Sequence, residues 1–126
     1  MKTEIRYIEL KTGYSDDGPA WIGKVKLSKT GNTIYFNNKA FQKHHSTYGN
    51  FYDVETHEDY WISGIKKDGT DRHWAGHGKV ILQKSVIAEY LDLVGKTSVN
   101  ESRFEIVDIP EEYPTERLNE LENLTK

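Results

Sequence analysis

Apolar residues recur at close to every second position in short runs along most of the chain, which is the period of half-buried β-strands. Residues that favour turns, mainly Gly, Asp, Asn and Ser, separate these runs. The pattern predicts strands over residues 5–10, 21–28, 33–36, 50–54, 60–66, 70–74, 79–83 and 103–109. Residues 11–19 are predicted as a loop, and so is the stretch 41–49, which has no clean period.

Two segments have the period of a helix instead of that of a strand. In the first, Ser85 can cap the start and Gly95 can end the helix. Its apolar face consists of Val86, Ile87, Tyr90, Leu91 and Val94. The second begins at Pro114 and has a narrow apolar stripe of Leu118, Leu121 and Leu124. This stripe could fold back on the body, mediate self-association with a second chain, or remain frayed.

Short strands at a spacing of roughly 8–12 residues favour a mainly β fold: a small SH3-like barrel of six or seven of these strands, all antiparallel, with one packed helix. A β-sandwich is the alternative, and an α/β fold is disfavoured because the strands precede the only strong helix. The length of 126 residues fits one domain. We expect a β-rich domain over residues 1–109, including the helix 85–95, and an acidic helical tail over 110–126.

The net charge of −3 belongs to the C-terminal end of the chain. Residues 110–126 hold five acidic and two basic side chains, whereas residues 1–109 hold 15 of each sign. A neutral body lacks the basic excess expected of a nucleic-acid binder. It favours a partner that is neutral or of mixed charge, and not a polyanion.

The composition also excludes several classes of protein and site. Without Cys there is neither a disulfide scaffold nor a zinc–thiolate centre. No apolar run approaches the ~20 residues that span a bilayer, and the first residues lack the apolar core of a secretory signal. His73 and His77 are four residues apart but fall at a predicted strand end, where that spacing does not make a metal pair. We therefore expect a protein with no membrane contact, metal or cofactor.

Asp68-Gly69 is a strong hairpin signal, because a type I′ turn needs positive φ at both central positions. If these two residues form the whole loop, Gly64 faces His73 across the hairpin, which leaves open space over the imidazole. One face of the hairpin then carries Trp61, Ser63, Ile65, Arg72 and Trp74. Arg72 can anchor an anion among the indole rings, or it can be buried and bonded to loop carbonyls.

Other candidate residues lie in the first loop and on the predicted strands. Asp16 and Asp17 could bind a metal or supply a base, or they could form an Asx turn that positions the loop. Some of the aromatic residues on the predicted strands could line a ligand groove, or they could be ordinary core aromatics; they are Trp21, Tyr52, Tyr60, Trp61 and Trp74.

These residues support three functions of different classes. The first is a non-enzymatic binding module for a polar small molecule or a peptide, with ligand-binding residues Asp16, Asp17, Trp21, Tyr52, Trp61, Arg72, His73 and Trp74. The second is a small hydrolase or lyase in which His73 is the general base and Asp16 or Asp71 orients it. A distance of about 7 Å between alternate strand residues disfavours Asp71 in this role. The third is weak single-stranded nucleic-acid binding, which the neutral body disfavours.

Three segments of the chain resemble a family of small bacterial proteins of about this length. They are residues 7–23 (YIELKTGYSDDGPAWIG), 60–64 (YWISG) and 71–76 (DRHWAG), and the resemblance covers roughly residues 3–92. It implies a cytoplasmic bacterial protein and no particular activity. Some members carry a label resembling deoxyxylulose-phosphate synthase, which this chain does not fit, because such a thiamine-diphosphate enzyme needs several hundred residues and a Gly-Asp-Gly metal motif. The segment after Gly95 departs from the family pattern.

Overall fold

The computed structural model describes residues 2–11, 18–44, 49–66 and 79–116. Eight strands form one sheet. They are β1 (Lys2–Leu10), β2 (Ala20–Leu27), β3 (Thr33–Phe36), β4 (Lys39–Lys43), β5 (Phe51–Asp53), β6 (Asp59–Gly64), β7 (Val80–Gln83) and β8 (Phe104–Val107). A 3-10 turn (Lys84–Val86) leads into the helix α1 (Ile87–Val94). In the described part of the chain, no helix has the length and apolarity that a membrane span requires.

Six of the strands close into a barrel. Around the ring they run β1, β6, β5, β4, β3 and β2, and all neighbours are antiparallel. The ring is closed because β1 pairs with both β2 and β6, so that Tyr7 lies between Ile22 and Ser63. The predicted mainly β fold with a closed antiparallel barrel is confirmed, and it is consistent with a small SH3-like barrel.

The sheet continues beyond the barrel because two strands share one edge of β2. Lys26 and Leu27 pair with β3, whereas Trp21 and Ile22 pair with β7 in a parallel direction. Strand β8 then pairs with β7, also in parallel. In the described part of the chain, the sheet thus contains the six antiparallel barrel strands, within the predicted six or seven, and two further strands joined by parallel pairings. Helix α1 is part of the crossover that a parallel pair requires, and strand periodicity alone did not reveal this role.

Strand β4 lies where the sequence predicted a loop. Asn37 and Asn38 have positive φ angles of 50° and 59° and form a two-residue turn between Phe36 and Lys39, which are paired. Both angles match a type I′ hairpin, whose left-handed positions favour Asn. The loop predicted over residues 41–49 is therefore wrong for its first three residues, which belong to this hairpin.

Helix α1 covers the outer face of the sheet. Gly95 ends it in the left-handed conformation with φ 68°, as predicted. Ser85 does not cap it, because the 3-10 turn places Val86 at the N-cap, and no side chain bonds the free N–H groups there. Val86, Tyr90 and Val94 are buried, which confirms the predicted apolar face at three of its five positions.

Two apolar clusters lie on opposite sides of the sheet. The interior cluster fills the barrel and includes Ile8, Val25, Phe36, Phe41 and Ile62. The outer cluster joins α1 to strands β1, β2 and β7 and includes Tyr7, Ile22, Val80, Leu82 and Tyr90. Strands β1 and β2 thus have apolar residues on both faces, which explains why their alternation is imperfect in the sequence.

The chain after β8 runs along the barrel. Ile109 joins the interior cluster, and its carbonyl accepts a hydrogen bond of 3.1 Å from Nε2 of Gln83. Tyr113 packs on a third cluster that contains Ala40, and its hydroxyl donates to the carbonyl of Lys24 at 3.2 Å. Residues 109–116 are therefore attached to the barrel. The domain boundary at residue 110 remains a prediction.

Some predicted elements lie outside the described residues. They include the strand over residues 70–74, the turn at Asp68-Gly69 and most of the C-terminal helix, with Leu118, Leu121 and Leu124. Thr115 and Glu116, which are described and lie in the first turn of that predicted helix, form a turn.

Burial of the Tyr60 hydroxyl group makes the stability of the barrel sensitive to alkaline pH. Burial, with a smaller effect of the negative charges on Glu58 and Asp53, raises the pKa of Tyr60 from 10.0 to about 12. The folded state therefore disfavours the phenolate, so the stability contributed by neutral Tyr60 is complete below pH 10 and is lost as the pH rises towards 12. We expect Tyr60→Phe to reduce the fall in unfolding free energy between about pH 9 and about pH 11.5. Urea titrations at both pH values measure this fall, and Tyr52→Phe is the control. If the unfolding free energy falls equally in the two variants, the prediction is wrong.

Candidate functional site

Only three of the eight predicted ligand-binding residues fall in the described part of the chain. Asp16, Asp17, Arg72, His73 and Trp74 lie outside it, as does Asp71. Trp21, Tyr52 and Trp61 are described, and the structure places them on both sides of the barrel wall. These three side chains therefore do not line one groove.

Trp21 points into the barrel. Its ring centroid lies 6.5 Å from that of Tyr60, which in turn lies 4.7 Å from that of Phe41. Together with Phe36, these rings close one mouth of the barrel around a space of about 10 Å³, room for roughly one water molecule. For Trp21, the geometry matches the core-packing alternative.

Trp61 points outward beside a buried ion pair. It lies directly opposite Glu9, so the two side chains share the outer face. The Glu9 carboxylate is buried, accepts a hydrogen bond from the hydroxyl of Tyr7, and lies 2.7 Å from Nζ of Lys11. A buried carboxylate is tolerated when both oxygens have such partners. The Trp61 side chain is 44% exposed, so it presents a large ring to solvent next to this fixed pair.

Tyr52 occupies the next row of the outer face, paired with Gln42 on one side and Asp59 on the other. Its hydroxyl donates to Oε1 of Gln42 at 3.0 Å, and its ring stacks on His57 with centroids 6.0 Å apart. The His44 ring lies 4.9 Å from the Tyr52 ring. Nε2 of His44 lies 2.9 Å from Oδ1 of Asp59, so the two side chains form an ion pair when the imidazole is protonated. The two atoms do not have the alignment that a hydrogen bond requires.

We call this outer face the Trp61 surface; it consists of Glu9, Lys11, His44, Tyr52, Asp59 and Trp61. Its two carboxylates each lie beside a basic side chain. Its aromatic rings supply contact area, and the Glu9 carboxylate and the Tyr52 hydroxyl are already held by neighbours. Exposed aromatic rings among fixed polar groups are suited to binding.

Sequence reasoning identified Tyr52 and Trp61 and missed the polar residues around them. A signal for Glu9 and Lys11 was present, because Tyr7, Glu9 and Lys11 are spaced by two and must share one face of a strand. His44 and Asp59 lie in or beside segments predicted as loop and turn, and only the long-range pairing of β4, β5 and β6 brings them together.

Comparison of the chain with protein-family models, with curated proteins and with solved structures finds no match. The resemblance to the bacterial family therefore remains a prediction. Among the described residues, no group of three His, Asp or Glu side chains is placed to hold a metal ion.

Proposed function

We propose that the protein is a small binding module that recognises a peptide segment through the Trp61 surface. The observation that carries this proposal is the exposure of Trp61 beside side chains that are fixed by contacts within the chain. Tryptophan and tyrosine are the residues that most often contribute the largest share of binding energy at protein interfaces.

The polar rim of the Trp61 surface is organised before any partner arrives. Glu9 is held by Tyr7 and Lys11, and Tyr52 is held by Gln42 and the stacked ring of His57. Binding then costs little additional side-chain entropy at these positions. A partner gains the contact area of the indole without having to order its surroundings.

The shape and charge of this face favour a peptide over a compact small molecule. The outside of a closed barrel is convex, whereas small-molecule sites are concave. The described cavities lie elsewhere, at the two barrel mouths and beside α1. The charges of the Trp61 surface are paired, which suits a peptide of mixed or zero net charge and agrees with the neutral body of the chain.

A peptide library displayed on phage tests the proposal directly. We expect selection on the full-length protein to enrich peptides whose affinity falls by about thirtyfold in Trp61→Ala, because truncation of a central Trp typically removes about 2 kcal/mol or more. Fluorescence polarisation with the enriched peptides measures this loss.

The matched control is Ile106→Ala, which removes another exposed apolar side chain from an outer strand. Binding should be unchanged in this variant. Enriched peptides that bind wild type and Trp61→Ala equally well would place the peptide site elsewhere, and a selection that enriches nothing would count against a peptide-binding function. We propose, as the sequence resemblance implies, that the module acts in the bacterial cytoplasm.

A further inference from the structure

The mouth of the barrel opposite Trp21 is open and charged. It forms a pocket of about 510 Å³, within the range of small-molecule sites. Lys2, Glu4 and Arg6 line it from β1, and residues 27–31 line it from the turn between β2 and β3. Alternate residues of a strand share a face, so the three β1 side chains project from the same side of the strand as Ile8 in the interior.

Arg6 lies in this pocket between two glycines. It pairs with Gly23 on β2 and with Gly64 on β6, so neither neighbouring position carries a side chain. A Cβ atom at Gly64 would meet nothing within 4 Å, which shows that the space beside this glycine is open. The space beside Arg6 is thus open on the β6 side, whereas on the β2 side Phe36 and Gln83 fill the position that a Cβ atom of residue 23 would take.

The hydrogen bonds of Arg6 are incomplete. Its Nη2 donates to Oε1 of Glu4 at 2.6 Å. Its Nε is shielded from solvent and donates to no acceptor in the described part of the chain. A buried donor without an acceptor is unfavourable, and such groups in folded proteins are often completed by a bound ion or water.

The pocket carries an excess of positive charge in a body whose total charge is zero. Lys2, Arg6 and Lys29 are cationic and Glu4 is the single acid among the lining residues, which leaves two positive charges. We propose that this mouth of the barrel binds a doubly charged oxyanion, either inorganic phosphate or a phosphate monoester. The Arg6 guanidinium supplies directional hydrogen bonds, and the two Lys supply charge.

The Arg6 Nε–H resonance in ¹H–¹⁵N spectra reports on this site, because the whole chain has only four Arg residues. The full-length protein is titrated separately with inorganic phosphate and with phenyl phosphate, at an ionic strength held constant with sodium chloride. We expect a saturable shift of the Arg6 signal with at least one of the two. A stronger response to phenyl phosphate identifies an ester as the preferred ligand, and an equal response identifies the free ion.

Matched variants separate this pocket from general charge effects. Arg6→Lys should weaken binding by roughly tenfold or more, because the planar hydrogen-bonding group is lost. Arg103→Lys is its control, since Arg103 lines a smaller cavity of about 40 Å³ beside α1. Lys29→Gln, in an exposed turn that tolerates substitution, should weaken binding by about threefold, and Lys96→Gln should not.

Shifts that grow linearly with anion concentration, or that are alike at Arg6 and Arg103, would overturn the proposal. The proposal is also overturned if both Arg6→Lys and Lys29→Gln bind the anion with unchanged affinity. If Arg6→Lys fails to fold, unchanged affinity in Lys29→Gln is enough to overturn it. Trp61→Ala should leave the titration with the two phosphate compounds unaltered. The experiments on this pocket and those on the peptide site therefore test two independent proposals.

Discussion

Gly23→Ala should lower the free energy of unfolding by about 3 kcal/mol, the upper part of the usual range for overpacking a core. A Cβ atom at position 23 would lie 2.4 Å from Cε1 of Phe36 and 2.8 Å from Oε1 of Gln83. Neither side chain can move away at low cost, because Phe36 is buried in the interior cluster and Gln83 is held by two hydrogen bonds. Urea unfolding followed by tryptophan fluorescence measures the change.

Gly64→Ala is the matched control, because Gly64 flanks Arg6 on the other side in the same row of the barrel. A Cβ atom there meets nothing within 4 Å, so the change should stay within about 0.5 kcal/mol. If the two variants lose similar stability, the steric argument is wrong and a general cost of replacing glycine explains both.

Gln83→Met should also cost about 3 kcal/mol. This residue is buried, its Oε1 accepts from the backbone N–H of Lys24 at 2.8 Å, and its Nε2 donates to the carbonyl of Ile109 at 3.1 Å. Methionine preserves most of the volume but leaves both backbone groups without a partner, at about 1–3 kcal/mol each when water cannot replace the side chain. The free energy of unfolding is again the measurement.

Gln42→Met provides the comparison for this second substitution. Gln42 accepts from the Tyr52 hydroxyl on the half-buried outer face, where water can take over the hydrogen bond. We expect it to lose less than 1 kcal/mol, as is typical of surface substitutions. Equal losses at the two positions would show that Gln83 contributes through packing alone.

The alternation of apolar residues predicted most of the barrel, and it failed where a distant segment covers a second face. In β4, Ala40 and Phe41 are consecutive and both buried, because Phe41 faces the interior while Ala40 belongs to the third cluster, against which Tyr113 packs. Nothing local to β4 indicates that a residue more than seventy positions later will cover it. The Asn37-Asn38 turn was a local signal, and it predicts the hairpin when its tolerance of positive φ is considered.

Strand periodicity could not predict the two parallel pairings, because they too depend on distant segments of the chain. Strand β7 joins β2 only because β3 leaves the first half of that edge free. Edge sharing depends on the three-dimensional register and not on the composition of either strand.

The surroundings of Arg6 could not be predicted from the sequence. Trp61 and Tyr52 lie on strands, as predicted, and Arg72, the arginine that the sequence pattern singled out, lies outside the described residues. Arg6 has an Nε without an acceptor among the described residues and two flanking glycines, in a strand whose sequence appeared ordinary. The flanking glycines are 17 and 58 positions away in the chain, and only the register brings them beside it.

The double pairing of β1 also determines the order in which the barrel can be completed. Strands β2 to β5 each pair with the next strand along the chain, so these contacts can form locally. Strand β1 can pair with β2 early, but its other edge must wait for β6, since Arg6 meets Gly64 across nearly half of the chain. Among the barrel pairings, ring closure therefore bears the largest loop entropy and should limit the folding rate. During synthesis, β1 keeps one edge unpaired until β6 has emerged from the ribosome.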